Sequence, residues 1–403
     1  MKDTVEMNIR LRLLLVLCCS CLVVSPARAK EVGDSPATAR LALAGENQAE
    51  LTRALETVPD SQKASMEFLI AHMPVQDLRS LSAEFLLENV ALAHKARETS
   101  PWEISDELFL SNVLPYANVD ETREPWRREM RDRSMKIITD CKTPGEAAQL
   151  LNKELFRTVG VKYSTKRRKA NQSPSESIEQ GLASCTGLSI LLVDACRSVN
   201  VPARLVGVPS WTTKRGNHTW VEVWDNGQWH FTGAAEYNAA GLDKAWFVGD
   251  ASKANKSSVR HAIYAVSFKK TDTQFPMVWS RGGPRTHAIN VTDRYTKNQE
   301  ESSEEFTEVR IVARSKSSGK RLSVPIKVCL AEETSQQCAF GTSKGETDDT
   351  NNFLTFKLLR GKRYKIAVSG LARDHVFQAE GQTQTVSLEL VESTADAIEN
   401  DLP

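Results

Sequence analysis

Two hydrophobic periods meet around Cys185, and few folds accommodate both. Gly181-Leu-Ala-Ser-Cys185-Thr-Gly187 is a small polar turn that runs into Leu188-Ser-Ile-Leu-Leu-Val-Asp-Ala-Cys-Arg197, an apolar stretch at helical spacing. From His218 the spacing falls to two: His218-Thr-Trp-Val-Glu-Val-Trp224 alternates. Asp225-Asn226-Gly227-Gln228 is a tight turn of the Asn-Gly type, and Trp229-His-Phe-Thr232 returns. Pro202 precedes Ala203-Arg-Leu-Val-Gly-Val208, which reads as another strand. A helix packed on antiparallel strands predicts the α+β class.

Cysteine usage and the N-terminus bound the compartment. Arg10 and Arg12 precede the apolar run Leu13 to Val24, and Ser25-Pro-Ala-Arg-Ala29 supplies small residues for cleavage. This predicts a secretory leader over residues 1–29, too short to span a bilayer, and a secreted or periplasmic protein. Met7 is an alternative start, and Cys18, Cys19 or Cys21 an alternative lipid anchor in poorly fitting surroundings. No later segment is apolar enough for a membrane span. Cys141, Cys185, Cys196, Cys329 and Cys338 follow the leader, an odd number that leaves one thiol over. Cys329 and Cys338 are close enough in sequence to bridge; Cys141 and Cys196 read equally as a bridge or as buried thiols. Cys185 is then the unpaired one. With no CxxC pair and no His-rich tract, neither a metal nor a cofactor is expected.

A length of 403 residues suggests two or three domains. Lys and Arg number 52 against 51 Asp and Glu, which gives no electrostatic argument for nucleic acid. The basic run Lys166-Arg-Arg-Lys169 reads as a solvated loop. Residues 30–139 form a helical region with segments at Asp106 to Val113 and Glu124 to Ile138. A core is expected over 140–280, opening with a helix from Pro144 to Phe156 that Thr143, Pro144 and Glu146 start. Thr165 to Ser177 reads as a loop, and 281–301 as a linker. Short strands at Phe306 to Ala313, Val324 to Leu330, Phe353 to Leu358, Tyr364 to Val368 and Thr385 to Val391 predict a β-sandwich over 302–393, before a tail at 394–403.

The Cys185 segment, Val201-Pro-Ala-Arg-Leu-Val-Gly207 and Asn217-His-Thr-Trp-Val-Glu-Val-Trp-Asp-Asn-Gly-Gln-Trp229 together resemble the transglutaminase-like superfamily, over roughly residues 140–270. Phe109-Leu-Ser-Asn-Val-Leu-Pro115 and Ile289-Asn-Val-Thr-Asp-Arg-Tyr295 are similar to segments of its secreted bacterial members. The resemblance implies a papain/transglutaminase-like core. Gly345-Glu-Thr-Asp-Asp-Thr-Asn-Asn-Phe353 and Leu358-Leu-Arg-Gly-Lys-Arg-Tyr364 resemble immunoglobulin- or transthyretin-like accessory domains.

Chemistry points the same way. A helix start and a neighbouring imidazole both favour a thiolate. Cys185 would attack an amide carbonyl to form a thioester, and His218 would take the thiol proton and give it to the leaving amine. The Cys185 N–H is a candidate oxyanion donor. The third member departs from the family, whose acid, usually Asp, falls where this chain has Gly233. The Asn226-Gly227 turn sets Trp220 opposite Gly233 and His218 opposite Ala235. Glu236, turned inward by a bulge at Gly233, is the expected orienting acid; Asp225 reads as a turn residue and Asp243 as a loop carboxylate. His230 faces away from His218. Trp220, Trp224 and Trp229 are expected to wall the site, Arg204 to tie sheet to helix, and Asn217 to position His218. Two functions are expected: an exported thiol enzyme acting on peptide or protein amides, by hydrolysis before amine transfer, or a silent module of the same fold that binds protein or polysaccharide. Neither sets an oligomeric state.

Overall fold

The computed structural model describes residues 35–391 apart from 214, 281–284, 297–304, 332–337 and 369–373. The leader expected through Ala29 and the tail from residue 394 lie outside the described residues. No helix among the described residues is long and apolar enough to cross a membrane.

The cysteine helix spans Cys185–Ser198 and starts where small residues allow it. Ser184 is extended, and its hydroxyl accepts from the Gly187 N–H at 3.0 Å, which satisfies one of the free donors of the first turn. The sheet beside it has six antiparallel strands in the order Gln228–Thr232, His218–Asp225, Ala203–Val208, Tyr264–Ser267, His287–Asn290, Thr273–Gln274. Alternation along the histidine strand decides what each face meets. Val221 and Val223 join Leu188, Leu191, Leu192 and Ala195 of the cysteine helix and Leu151 and Leu155 of the Pro144–Val159 helix in one core. Trp220 on the other face packs with Trp211, Phe247, Ile263 and Val206. The latter helix begins as its sequence predicts, with Thr143 accepting from the Glu146 N–H at 3.2 Å and Pro144 in the first turn.

The helical region is sewn to the cysteine helix by buried guanidinium groups. Arg127 donates to Asn89 Oδ1 at 2.9 Å and to the Arg197 carbonyl at 3.1 Å, while Arg197 donates to the Asn112 and Ala117 carbonyls at 3.2 and 3.1 Å. These donors satisfy chain ends that otherwise would be buried without partners.

Several boundaries differ from the expectation. The presumed linker 281–301 supplies the strand His287–Asn290 and the helix Thr292–Thr296. Alternation over such short segments is too weak to read, yet Tyr295 is anchored: it donates to Glu222 at 2.8 Å and accepts from Trp220 at 2.8 Å. The expected loop 165–177 ends in a helix, Pro174–Gln180, started by a capping box between Ser173 and Glu176. Arg204 ties strand to strand, not sheet to helix: it pairs with buried Glu222 at 2.7 Å and lies 3.9 Å above the Trp229 ring. Cys329 and Cys338 form a disulfide, and Cys141 and Cys196 are free. Burial pushes the Cys196 thiol up to about 12.

The C-terminal unit has a four-stranded sheet, Cys338–Thr342, Pro325–Leu330, Arg363–Ala367 and His375–Gln378, and a three-stranded sheet, Leu354–Leu359, Phe306–Ser315 and Thr383–Leu390. Val309, Ile311, Val328, Ile366 and Leu388 come from both sheets into one core. The strands Cys338–Thr342 and His375–Gln378 were not legible; both are edge strands with mostly exposed or half-buried residues.

Glu222 anchors a buried charge network in the core sheet. It is fully buried and pairs with Arg204 at 2.7 Å and Arg294 at 2.5 Å. Glu222→Ala leaves the buried Arg204 unpaired and is expected to lower the unfolding free energy by about 3–5 kcal/mol, read by urea denaturation on tryptophan fluorescence. Glu129→Ala, which removes only a surface pair with Arg133, should leave the curve within error of wild type.

Candidate active site

Helix start and strand start are clasped by the residues next to the chemistry. Thr186 Oγ1 and Thr219 Oγ1 lie 3.1 Å apart and fully buried. Their neighbours Cys185 and His218 open onto a cleft of about 470 Å³ that Tyr163, Glu236, Asp348 and Asp349 also line. One donor atom each from Cys185, His218 and Asp349 lie within 4.8 Å of one another. Cys185 is half-buried, and His218 and Asp349 are buried. By position at the first helical residue, the Cys185 N–H has no intrahelical partner.

Asp349 is the residue that sequence reasoning missed. It lies in the segment between the strands Cys338–Thr342 and Leu354–Leu359, on the C-terminal unit. Its Oδ2 is 3.6 Å from His218 Nδ1. Its other oxygen accepts from the Asn351 N–H at 2.8 Å, and its carbonyl accepts from Arg321 at 3.1 Å and the Asn352 N–H at 2.9 Å. The segment is pinned against the core from both sides. Asn351 donates to the Asn217 carbonyl at 2.9 Å, and the Thr350 N–H donates to the Tyr163 hydroxyl at 3.3 Å. Arg215 completes the seam: it pairs with core Asp250 at 2.9 Å and with Glu308 of the C-terminal unit at 3.2 Å, between the Trp246 and Phe353 rings. The one signal in the sequence was the run Asp348-Asp349 in a turn-rich segment, which is unremarkable by itself.

Glu236 also reaches the cleft, by a turn instead of a bulge. The return strand stops at Thr232. The Glu236 N–H then bonds the Gly233 carbonyl at 3.2 Å, with Ala235 left-handed at φ 62°. Asn152 holds this turn, donating to the Gly233 carbonyl at 2.8 Å and accepting from the Ala235 N–H at 2.8 Å. A methyl group on Gly233 would overlap the Glu236 carboxylate. The carboxylate thus occupies the space that a side chain at 233 would take, the slot the sequence left empty.

The two carboxylates differ in charge state. Burial drives Glu236 up to about 7; the His218 charge opposes this and Asp349 adds to it. Asp349 stays below its ordinary value, because the bond and charge of His218 and the Asn351 N–H outweigh its own burial. Burial works against a charged His218, but Asp349 and Cys185 outweigh it and raise the ring to about 10. Among the described residues neither ring nitrogen of His218 has a hydrogen bond of standard geometry.

The remaining candidates separate. Trp220 stacks 5.8 Å from His218, joined by Trp246 at 4.7 Å and Phe247 at 5.1 Å, neither of which was singled out. Trp224 and Trp229 pair with each other instead, at 5.5 Å. His230 bonds Asp243 at 2.6 Å, and Asp225 ends the histidine strand. Asn217 holds the Asp349 segment through its carbonyl.

Residues 131–233 match the transglutaminase-like superfamily. No curated protein matches the chain. Among solved structures, a candidate cysteine protease of Cytophaga hutchinsonii is 13% identical with a TM-score of 0.27, over 46% of this chain and 63% of that one. A candidate protease of Parabacteroides distasonis is 10% identical with a TM-score of 0.25, over 61% of this chain and 37% of that one. The chain therefore spans less than two thirds of either. A C-terminal fragment of the pilus adhesin SpaC from Lactobacillus rhamnosus GG is 9% identical with a TM-score of 0.18, over 48% of this chain and 91% of that one. The family match is confined to residues 131–233, and it is this segment that is similar to the transglutaminase-like superfamily.

Proposed function

We propose that this protein is an exported thiol enzyme that cleaves peptide or side-chain amides through an acyl-enzyme on Cys185. The observation that carries the reading is the convergence of Cys185, His218 and a buried carboxylate within 4.8 Å. Cys185 Sγ attacks the carbonyl carbon, and the oxyanion forms at the Cys185 N–H. His218, charged at neutral pH, stabilises the thiolate and gives its proton to the leaving amine. Water then attacks the thioester, His218 takes the proton, and the carboxylic acid leaves. Water needs no subsite of its own, so hydrolysis is the simpler outcome; an amine acceptor would need one. Asp349 is the acid that orients His218, and Glu236, driven up to about 7 by burial, is the second carboxyl of the cleft.

The silent-module reading rested on the missing acid at Gly233. Two carboxylates in the cleft remove that support. The same three donors could instead hold a metal ion, and chelation separates the two readings. Thiol chemistry survives EDTA and is blocked by iodoacetamide; the opposite pattern would replace the enzyme reading with a metal site.

Cys185→Ala should abolish turnover of a peptide-amide library, and Asp349→Asn should lower kcat/KM by about 10²–10⁴-fold through loss of ring orientation. Glu236→Gln should cost less than Asp349→Asn. Equal activity in Asp349→Asn and wild type would return the orienting role to Glu236.

Glu236 also predicts a pH effect on stability. The folded state holds its proton more tightly than the unfolded chain, so stability is lost as pH rises from about 4.5 through about 7. Between pH 4.5 and 8, wild type should lose up to about 3 kcal/mol more than Glu236→Gln, read by urea denaturation at each pH.

A further inference from the structure

Away from the thiol cleft, a second cavity of about 460 Å³ lies between the helical region and the far edge of the core sheet. Its wall carries Arg40, His72, Arg123, Lys270, Arg285 and His287 and, among the described residues, no Asp or Glu. Segments far apart in the chain bring these groups together, so the cluster is a product of the fold and not of a basic run.

Their existing partners show which charges are spent. Arg123 is neutralised by Asp77 at 3.0 Å and Glu121 at 3.7 Å, both behind the wall. Arg40 meets no carboxylate among the described residues: one nitrogen donates to the Met73 carbonyl at 2.7 Å, and its buried Nε has no hydrogen-bond partner. His72 Nδ1 accepts from the Lys270 N–H at 3.3 Å, which leaves its neutral-ring proton on Nε2 as a donor. The groups repel one another. Burial, then the charges of Lys270, Lys269, Arg40 and His287, push His72 down to about 4, and burial and Arg40 lower Lys270. Like charges around a low-dielectric hollow focus a positive potential that an anion would relieve.

We propose that this cavity binds a small organic ligand bearing two or more anionic oxygens, as phosphate or carboxylate groups. Its volume falls in the range of small-molecule sites, larger than one inorganic ion needs. Arg40 offers the planar fork that suits an oxyanion, and Lys270 a mobile point charge at the rim. The site does not depend on the thiol chemistry, and its occupancy can be read whether or not Cys185 acts on amides.

The test is calorimetric titration of the whole protein at low salt with inorganic phosphate, pyrophosphate and citrate. Saturable one-to-one binding of pyrophosphate or citrate, tighter than phosphate, is expected; which of the two wins assigns phosphate or carboxylate chemistry. Lys270→Gln, at an exposed position, should weaken that binding several-fold, and Arg40→Ala with Lys270→Gln tenfold or more. Cys185→Ala should leave it unchanged. Far-UV circular dichroism and the melting curve of each variant report whether it is folded. Absence of saturable heat with all three probes up to ~10 mM, or the same affinity in folded Lys270→Gln as in wild type, overturns the proposal.

Discussion

The contact between His218 and Asp349 is where two parts of the chain become one machine. Both side chains are almost wholly buried, one on the first residue of the strand His218–Asp225 and the other in the segment between Cys338–Thr342 and Leu354–Leu359. A buried charge pair is costly to assemble unless further bonds satisfy it. Here Asn351 and Arg321 hold the Asp349 side, and four aromatic rings enclose the His218 side. The Arg215 pairs and the Tyr163 and Asn217 bonds set the position of the segment that carries Asp349. The C-terminal unit is therefore part of the cleft wall and not an appendage of the core.

Two carboxyls beside one imidazole cannot both be ionised at low cost in so dry a site. The geometry divides them. Asp349 faces Nδ1 and stays charged, while Glu236 fills the Gly233 slot and is pushed up to about 7. Pairs of titratable groups driven apart in this way mark acid and base assignments in active sites. The replacement of a strand side chain by one reaching back from Glu236 required a left-handed Ala235, held by Asn152, and this local strain is the cost of keeping a carboxyl there.

Local signals carried the centre of the fold. Ser184 before an apolar run, Thr143-Pro144 before another, and Asn226-Gly227 between alternating segments each act through their own backbone. The hairpin register follows directly: Trp224 pairs with Trp229 and Val221 with Thr232. What escaped was everything set by distant packing. His287–Asn290 is too short to show a period and takes its place in the sheet by pairing with Tyr264–Ser267 and Thr273–Gln274. Asp349 stands far from His218 in sequence, and no spacing rule links a turn in one unit to a strand in another. Glu236 was legible because it lies four residues past the strand end; its charge state was not, since that depends on burial.

The hold of Asp349 on the His218 charge is open to direct measurement. It is tested most directly by NMR titration of the His218 ring in the whole protein, with labelled histidine. The ring is expected to stay protonated through pH 8, in keeping with its rise to about 10, and to lose this hold in Asp349→Asn but less so in Glu236→Gln. A wild-type ring that titrates near the ordinary value of about 6.5, or one that Asp349→Asn leaves unmoved, would contradict it.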